Sequence, residues 1–381
     1  MESRIRQALE ASHGEQVAQK AQLTEMGGHA SLRIYWRIQL PESADAPRED
    51  LTQIAMVLPE SRRAGESEEG MSEDAPNSAE LPFVNVQRYL DSIEMPVPAI
   101  DLVDMDLGVL LLEDLGDRTF EGAVEELRRR DDLEPEEREA AFLDLYREAI
   151  DLLVDLQESV LRSLADERFG TNDQCIAFER AFDRKLLRWE LDHYVEWGLE
   201  ARLGDDDARR TALDERRETL DQQLDRLVDE LLDVQRTLVL RDYQSRNLML
   251  HEGRWHLIDF QDALKGPFIY DLVALLRDSY IELTAEQVDE LLDYYVCRGA
   301  ANGLPWCSDS DAVFRAFHLQ TVQRKLKDAG RFVYIDRKKG NPDFLQYYDR
   351  SIDYVRHALD SIPGWDALAS LLSRVEPSFE E

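Results

Sequence analysis

Three oxygen-bearing side chains stand close together in one stretch of the chain. Asp242, Asn247 and Asp259 punctuate the run Leu238-Val-Leu-Arg-Asp242-Tyr-Gln-Ser-Arg-Asn247, which continues to Ile258-Asp259-Phe-Gln-Asp262. Asn247 and Asp259 offer hard oxygen ligands, which suit a cation such as Mg²⁺ that keeps waters and completes its shell with phosphates. Asp242 beside them is placed to accept a proton from a hydroxyl. An Asp and an Asn at this spacing say little by themselves in so acidic a chain, where a solvated loop acid and a capping Asn are common. What they do depends on the elements that carry them.

Those elements read clearly. β-Branched and apolar residues predict strands at 237–240, 247–250 and 255–258, with His251-Glu252-Gly253 as the turn between the last two. Asp242 then lies just beyond one strand, Asn247 opens the next and Asp259 ends the third, so all three converge on one edge. Upstream, strands are predicted at 23–27, 32–40, 52–58, 99–103 and 108–112, with a helix at 1–21, a helix at 83–93 and a tight turn at 27–31. Residues 59–80 are polar and of low complexity and read as a mobile surface loop. After Gly116 helical periodicity takes over, at 134–160, 178–199, 208–234, 269–280, 285–298, 311–329 and within 344–373. The expected architecture is α+β and bilobal: an antiparallel sheet lobe over 1–115 and a larger, mainly helical lobe over 116–381. An acceptor-orienting Asp with an Asn and an Asp on the metal is the layout of phosphoryl transfer in the protein-kinase class.

Composition narrows the field. The 381 residues carry a formal net charge of −35, from 80 acidic and 45 basic residues. That balance excludes a nucleic-acid binder and a peripheral protein of anionic membranes, both of which need basic surface. No apolar run has the length of a membrane span and the first residues have no apolar signal core. Three cysteines in no metal spacing suit a reducing, cytoplasmic setting. Of the basic residues 38 are Arg and 7 are Lys. An acid-rich, Lys-poor surface fits either a high-salt habitat or ordinary solvated faces.

The sequence resembles the aminoglycoside-phosphotransferase and choline-kinase superfamily, and within it the bacterial N-acetylmuramate/N-acetylglucosamine anomeric kinases of cell-wall recycling. The resemblance is carried by Arg241–Met249, Asp259-Phe-Gln-Asp-Ala263, Gly266-Pro-Phe-Ile-Tyr-Asp271, Ala30–Arg37, Leu111–Gly116 and Gln323-Arg-Lys-Leu-Lys327, in order over most of the chain. It implies a protein-kinase-like fold, ATP and Mg²⁺ as cofactors, a sugar acceptor and a monomer. Asp242 resembles the catalytic Asp, Asn247 and Asp259 the metal ligands, and Asp271 the acid that braces the catalytic loop. Glu113 to Leu115 resembles the hinge whose backbone meets adenine, and Ser31 and Arg33 lie in the turn over the phosphates. Arg246, Asp262, Glu190 and Arg324 are the candidate acceptor-binding residues, Arg246 with an acid pair as its other reading.

Two departures stand out. The third strand, Gln53-Ile-Ala-Met56, lacks the Lys that usually meets phosphate, and Arg33 or Arg37 is the candidate replacement. Leu240 stands where His usually precedes Arg-Asp, and is expected to pack. Lys325, Lys327, Lys338 and Lys339 cluster with Arg324, Arg331 and Arg337, either as an anion-attracting wall or in pairs with acidic neighbours. Trp189, His193 and Trp197 share a helix face, as a sugar platform or a core stripe. Other acceptors (an aminoglycoside, a choline-like cation, another sugar) and a weakly catalytic nucleotide or sugar sensor are the alternative functions.

Overall fold

The computed structural model describes residues 1–27, 33–41, 51–59, 80–165, 175–204 and 206–379. The expected turn over 27–31, with Ser31, and the expected loop over 59–80 fall almost wholly outside them. In chain order the elements are α1 (Glu2–His13), α2 (Glu15–Lys20), β1 (Gln22–Met26), β2 (Ile34–Gln39), β3 (Thr52–Val57), α3 (Pro82–Ser92), β4 (Ile100–Asp104) and β5 (Val109–Glu113). Then come α4 (Phe120–Arg128), α5 (Pro135–Ala165), α6 (Arg184–His193), a π-helical segment Tyr194–Glu200, α7 (Ala201–Leu203) and α8 (Asp207–Leu232). β6 (Arg236–Val239), β7 (Leu248–His251), β8 (Arg254–Leu257) and β9 (Leu264–Pro267) follow. The chain closes with α9 (Tyr270–Leu276), α10 (Ala285–Ala301), α11 (Ser310–Lys339), α12 (Tyr348–Ser361) and α13 (Asp366–Val375).

The chain divides into two compact units, and the division is not a single cut. The first is drawn from Met1–Ser67, Met95–Arg118 and Met249–Ile258, and the second from the remainder. In the first unit β1-β2-β3-β5-β4 form an antiparallel sheet. One face buries Trp36, Ile38, Ala55, Val57, Val109 and Leu111 against Ile5, Ala8 and Leu9 of α1. The predicted single helix over 1–21 is two, because Gly14 adopts φ 87°, a left-handed conformation that ends α1. The β7–β8 hairpin, though distant in sequence, belongs to this unit. Leu250 N–H donates to Arg118 C=O at 2.7 Å and Leu257 N–H to Pro96 C=O at 2.8 Å.

The second unit is helical, with its largest apolar cluster built from α6, the π segment, α8, α11, α12 and α13. Asp183, Asp206, Thr284 and Asp309 cap the starts of α6, α8, α10 and α11 through backbone N–H groups. Strand β9, absent from the sequence reading, pairs antiparallel with β6 from Val239↔Leu264 to Arg236↔Pro267. Gly and Pro inside four residues hide it from any strand pattern. Gly266 is required there: a Cβ would come within 2.8 Å of both the Phe182 ring and Val239.

Candidate active site

The loop between β6 and β7 is held from three sides. Asp271, at the start of α9 and 1% exposed, accepts the N–H groups of Leu240 at 2.7 Å and Arg241 at 3.0 Å. Burial pushes its carboxyl up to about 7 against the pull of those two hydrogen bonds and of Arg324. Arg241 has φ 71°, rare for a residue with a side chain. Three partners impose it. Asp271 takes its N–H, Arg324 donates to its C=O at 2.8 Å, and Glu190 pairs with its guanidinium at 3.2 Å. Leu240 is 3% exposed and packs, as expected for its replacement of His.

With Arg241 fixed, Asp242 is presented outward, its side chain 35% exposed and its carboxylate 3.9 Å from the Arg324 guanidinium. Asn247 returns to the same loop: its N–H donates to Gln244 C=O at 2.8 Å and its side-chain amide to Asp242 C=O at 2.9 Å. That second bond fixes the amide and leaves its oxygen outside this contact. Asp259 has φ 60°, and Gln261 donates to one of its carboxylate oxygens at 2.8 Å. An amide oxygen and a carboxylate are the hard donors that Mg²⁺ takes. Among the described residues no group of three or more His, Cys, Asp or Glu could cage a metal. An ion on Asn247 and Asp259 would therefore draw its other ligands from water and phosphate, as Mg²⁺ does in such sites.

Two of the acceptor-binding candidates are enclosed in the packing around the loop. Glu190 is 0% exposed and meets Arg241 and Gln323, which donates to it at 2.6 Å, so it braces the loop. Arg324 is 4% exposed and spends its guanidinium on Arg241 C=O and on Asp242. It supports Asp242 from beneath. Arg246 takes its structural reading: it forks onto Glu121 at 2.7 and 3.0 Å and stacks on Tyr280 at 3.5 Å. Asp262 is half-buried in the turn before β9. The sequence named these charges correctly but could not show which face of α6 and α11 would be enclosed.

On the first unit, Glu113 ends β5, with its N–H on Ala99 C=O at 3.0 Å and its carboxylate on Ala99 N–H at 2.9 Å. Leu115 is buried and Arg33 directly precedes β2. Arg37 is not available as the replacement cation. It binds Asp114 at 2.8 Å, Asp117 at 2.8 Å and Gly116 C=O at 3.1 Å, and so fixes the segment after β5. On α11, Lys325 is 1% exposed and paired with Asp328 at 2.9 Å, and Lys338 lies over Trp197, so the basic cluster is largely absorbed in local pairs. Trp189, His193, Trp197 and Tyr334 form a ladder of rings 5.2–6.3 Å apart, whose tryptophans pack on the core cluster. The stripe is core.

A clamped loop presents Asp242, with Asn247 hydrogen-bonded back onto it, within a fold shared by kinase-like phosphotransferases. Solved structures share the fold: a choline kinase from Cryptosporidium parvum (TM-score 0.60, 10% identity, 96% of this chain and 97% of that one) and the amicoumacin kinase hAmiN in complex with AMP-PNP and Ca²⁺ (TM-score 0.53, 14% identity, 91% and 92%). Residues 72–306 match the phosphotransferase enzyme family, and the chain belongs to that family. It is similar to proteins named N-acetylmuramate/N-acetylglucosamine kinase. That of Neisseria meningitidis serogroup B is 34% identical over 275 residues, covering 72% of this chain and 73% of its own. That of Pseudomonas putida is 30% identical over 305 residues, covering 80% of each.

Proposed function

We propose that this protein is an ATP-dependent kinase that phosphorylates the anomeric hydroxyl of an amino sugar of the N-acetylglucosamine/N-acetylmuramate type, in recycling of peptidoglycan sugars. The names of its relatives support the acceptor, and the fixed, outward Asp242 supports the chemistry. Asp242 accepts a hydrogen bond from the sugar hydroxyl, aligns it with the γ-phosphorus and takes its proton late in transfer. Because the transition state is loose, alignment counts for more than basicity. Arg324 holds the Asp242 carboxylate in that alignment, and Asp271 and Glu190 hold Arg241 so that the loop does not drift. Asn247 and Asp259 would hold Mg²⁺, which when bound neutralises charge on the transferring phosphate. The Glu113–Leu115 backbone would receive adenine. A cytoplasmic location follows from the ATP supply this reaction needs.

The single observation that carries this reading is the three-way fixation of Arg241, which leaves Asp242 as the loop's exposed acid. The test is ADP release over a panel of N-acetylated and plain hexoses, with aminoglycosides and choline as other acceptors and ³¹P NMR of the product. A sugar 1-phosphate from an N-acetylhexosamine is the expected result. Turnover confined to a cationic acceptor, or a product phosphorylated at another hydroxyl, would overturn it.

A further inference from the structure

The run Ala274-Leu-Leu-Arg-Asp-Ser-Tyr280 is apolar until its last four residues, yet Arg277 and Asp278 are as buried as the leucines, at 7% and 2% exposed. A carboxylate withdrawn from water is costly unless hydrogen-bonded. Asp278 spends one oxygen on Ser245 N–H at 2.9 Å and the other on Tyr280 N–H at 3.0 Å. Lys325, buried on α11, donates to the neighbouring Ser279 hydroxyl at 3.0 Å and contributes its charge to the same enclosure. The second half of the catalytic loop is thus tied to the turn after α9, as its first half is tied to Asp271 at the start of that helix.

Ser245 lies two residues before Asn247. Between them Arg246 is also held by this turn, its guanidinium on the Tyr280 ring at 3.5 Å with its fork on Glu121. Ser245 C=O accepts Glu121 N–H at 3.1 Å. From Ser245 to Asn247 the backbone is therefore held from two sides, by Asp278 and Tyr280 in the turn after α9 and by Glu121 at the start of α4. We propose that Asp278 is a positioning residue for the metal-binding half of the site: through the Ser245 amide it sets Asn247, while Asp271 sets Asp242. The two anchors of the loop thereby stand at the start of one short helix and in the turn that follows it.

The inference rests on Asn247 being a metal ligand, and the test separates the two. Mg²⁺ affinity of the ADP complex is measured by calorimetry, and again with Mn²⁺ by electron paramagnetic resonance, in wild type, Asp278→Asn and Asp271→Asn. Outer-shell partners of ligands typically control affinity by roughly 10- to 100-fold, so Asp278→Asn should weaken the metal by that factor, while Asp271→Asn lowers kcat and leaves the metal within about twofold. Amide hydrogen exchange should accelerate at Ser245 in Asp278→Asn but not at Leu240 or Arg241. Should that variant fold poorly, Asp278→Glu, which keeps the charge and displaces the oxygens, should give the same metal signature. Unchanged metal affinity in folded Asp278→Asn overturns the proposal, as does failure of both variants to fold, which would assign Asp278 to stability alone. A wild-type protein whose ADP complex binds no divalent ion overturns the assignment of Asn247 first, and this inference with it.

Discussion

Asp242 and Asp271 lie 29 positions apart and meet at one loop, but substitution should separate them. In the proposed mechanism Asp242→Ala removes the group that would receive the acceptor's hydrogen bond. Turnover should fall by at least roughly 10³-fold while nucleotide affinity, measured by calorimetry, stays near wild type. Asp271 makes a different prediction, through its carboxyl at about 7. An acid whose folded value lies above its unfolded value binds its proton more tightly when folded, so its contribution to stability falls as pH rises from about 4 through 7. Asp271→Asn carries no such charge. The thermal midpoint of this variant, relative to wild type, should therefore rise between pH 5 and pH 8, with the change in relative stability over that range bounded at roughly 3 kcal/mol. A pH-independent difference between the two would show that Asp271 stays ionised throughout. At this scale the sequence singled out Asp242, Asn247 and Asp259 as candidates, because they fall within one short strand–loop–hairpin run. It did not show that Glu190 and Arg324 are enclosed, because their burial arises where α6, α11 and the loop pack together, and no local pattern reports that.

Among the elements, α11 does most to shape the helical unit. It reaches the loop through Arg324 and its brace Glu190 through Gln323, anchors Lys325 beside Ser279, and then runs against the π segment. That last contact is tight. A Cβ at Gly330 would come within 2.7 Å of Tyr194 Cα and 2.9 Å of His193 C=O. These are backbone atoms that no side-chain rotation can clear. Gly330→Ala should therefore destabilise by about 1–3 kcal/mol, despite its better helix propensity, as a lowered denaturant midpoint would show. An unchanged midpoint would mean that the two helices can separate at little cost. Periodicity revealed most of these helices and all five strands of the first sheet within a few residues. It missed β9, which carries Gly266 and Pro267, and gave no sign of the π segment, which has the same amphipathic appearance as the α-helix before it.

On the scale of the whole chain, the charge of −35 acquires a structural reading. Arginine serves as a hub among carboxylates. Arg188 alone meets Asp192, Asp221 and Asp225 at 2.8, 2.5 and 3.0 Å, and Arg37 meets Asp114 and Asp117. A planar five-donor fork can do this where a lysine cannot, which suits a chain with 38 Arg and 7 Lys. The acids still outnumber their partners, so ATP approaches a repulsive field. Raising salt from low to moderate at fixed free Mg²⁺ should increase kcat/KM for ATP, since the screening length shortens to about 10 Å at 0.1 M. A steady fall over that range would show that local cations, rather than the overall field, govern nucleotide approach.

The β7–β8 hairpin bears on how the protein is made. It supplies Leu250 N–H to Arg118 C=O and Leu257 N–H to Pro96 C=O within the first unit, yet the ribosome delivers it more than a hundred residues after Arg118. At ordinary synthesis rates that is a delay of roughly ten seconds, during which most of α4 to α8 emerges. The sheet unit must therefore wait, incomplete at this edge, for a piece that arrives only after much of the helical unit has been synthesised. Completion of the first unit and delivery of the catalytic loop, which immediately precedes the hairpin, are in this way tied to a single moment of translation.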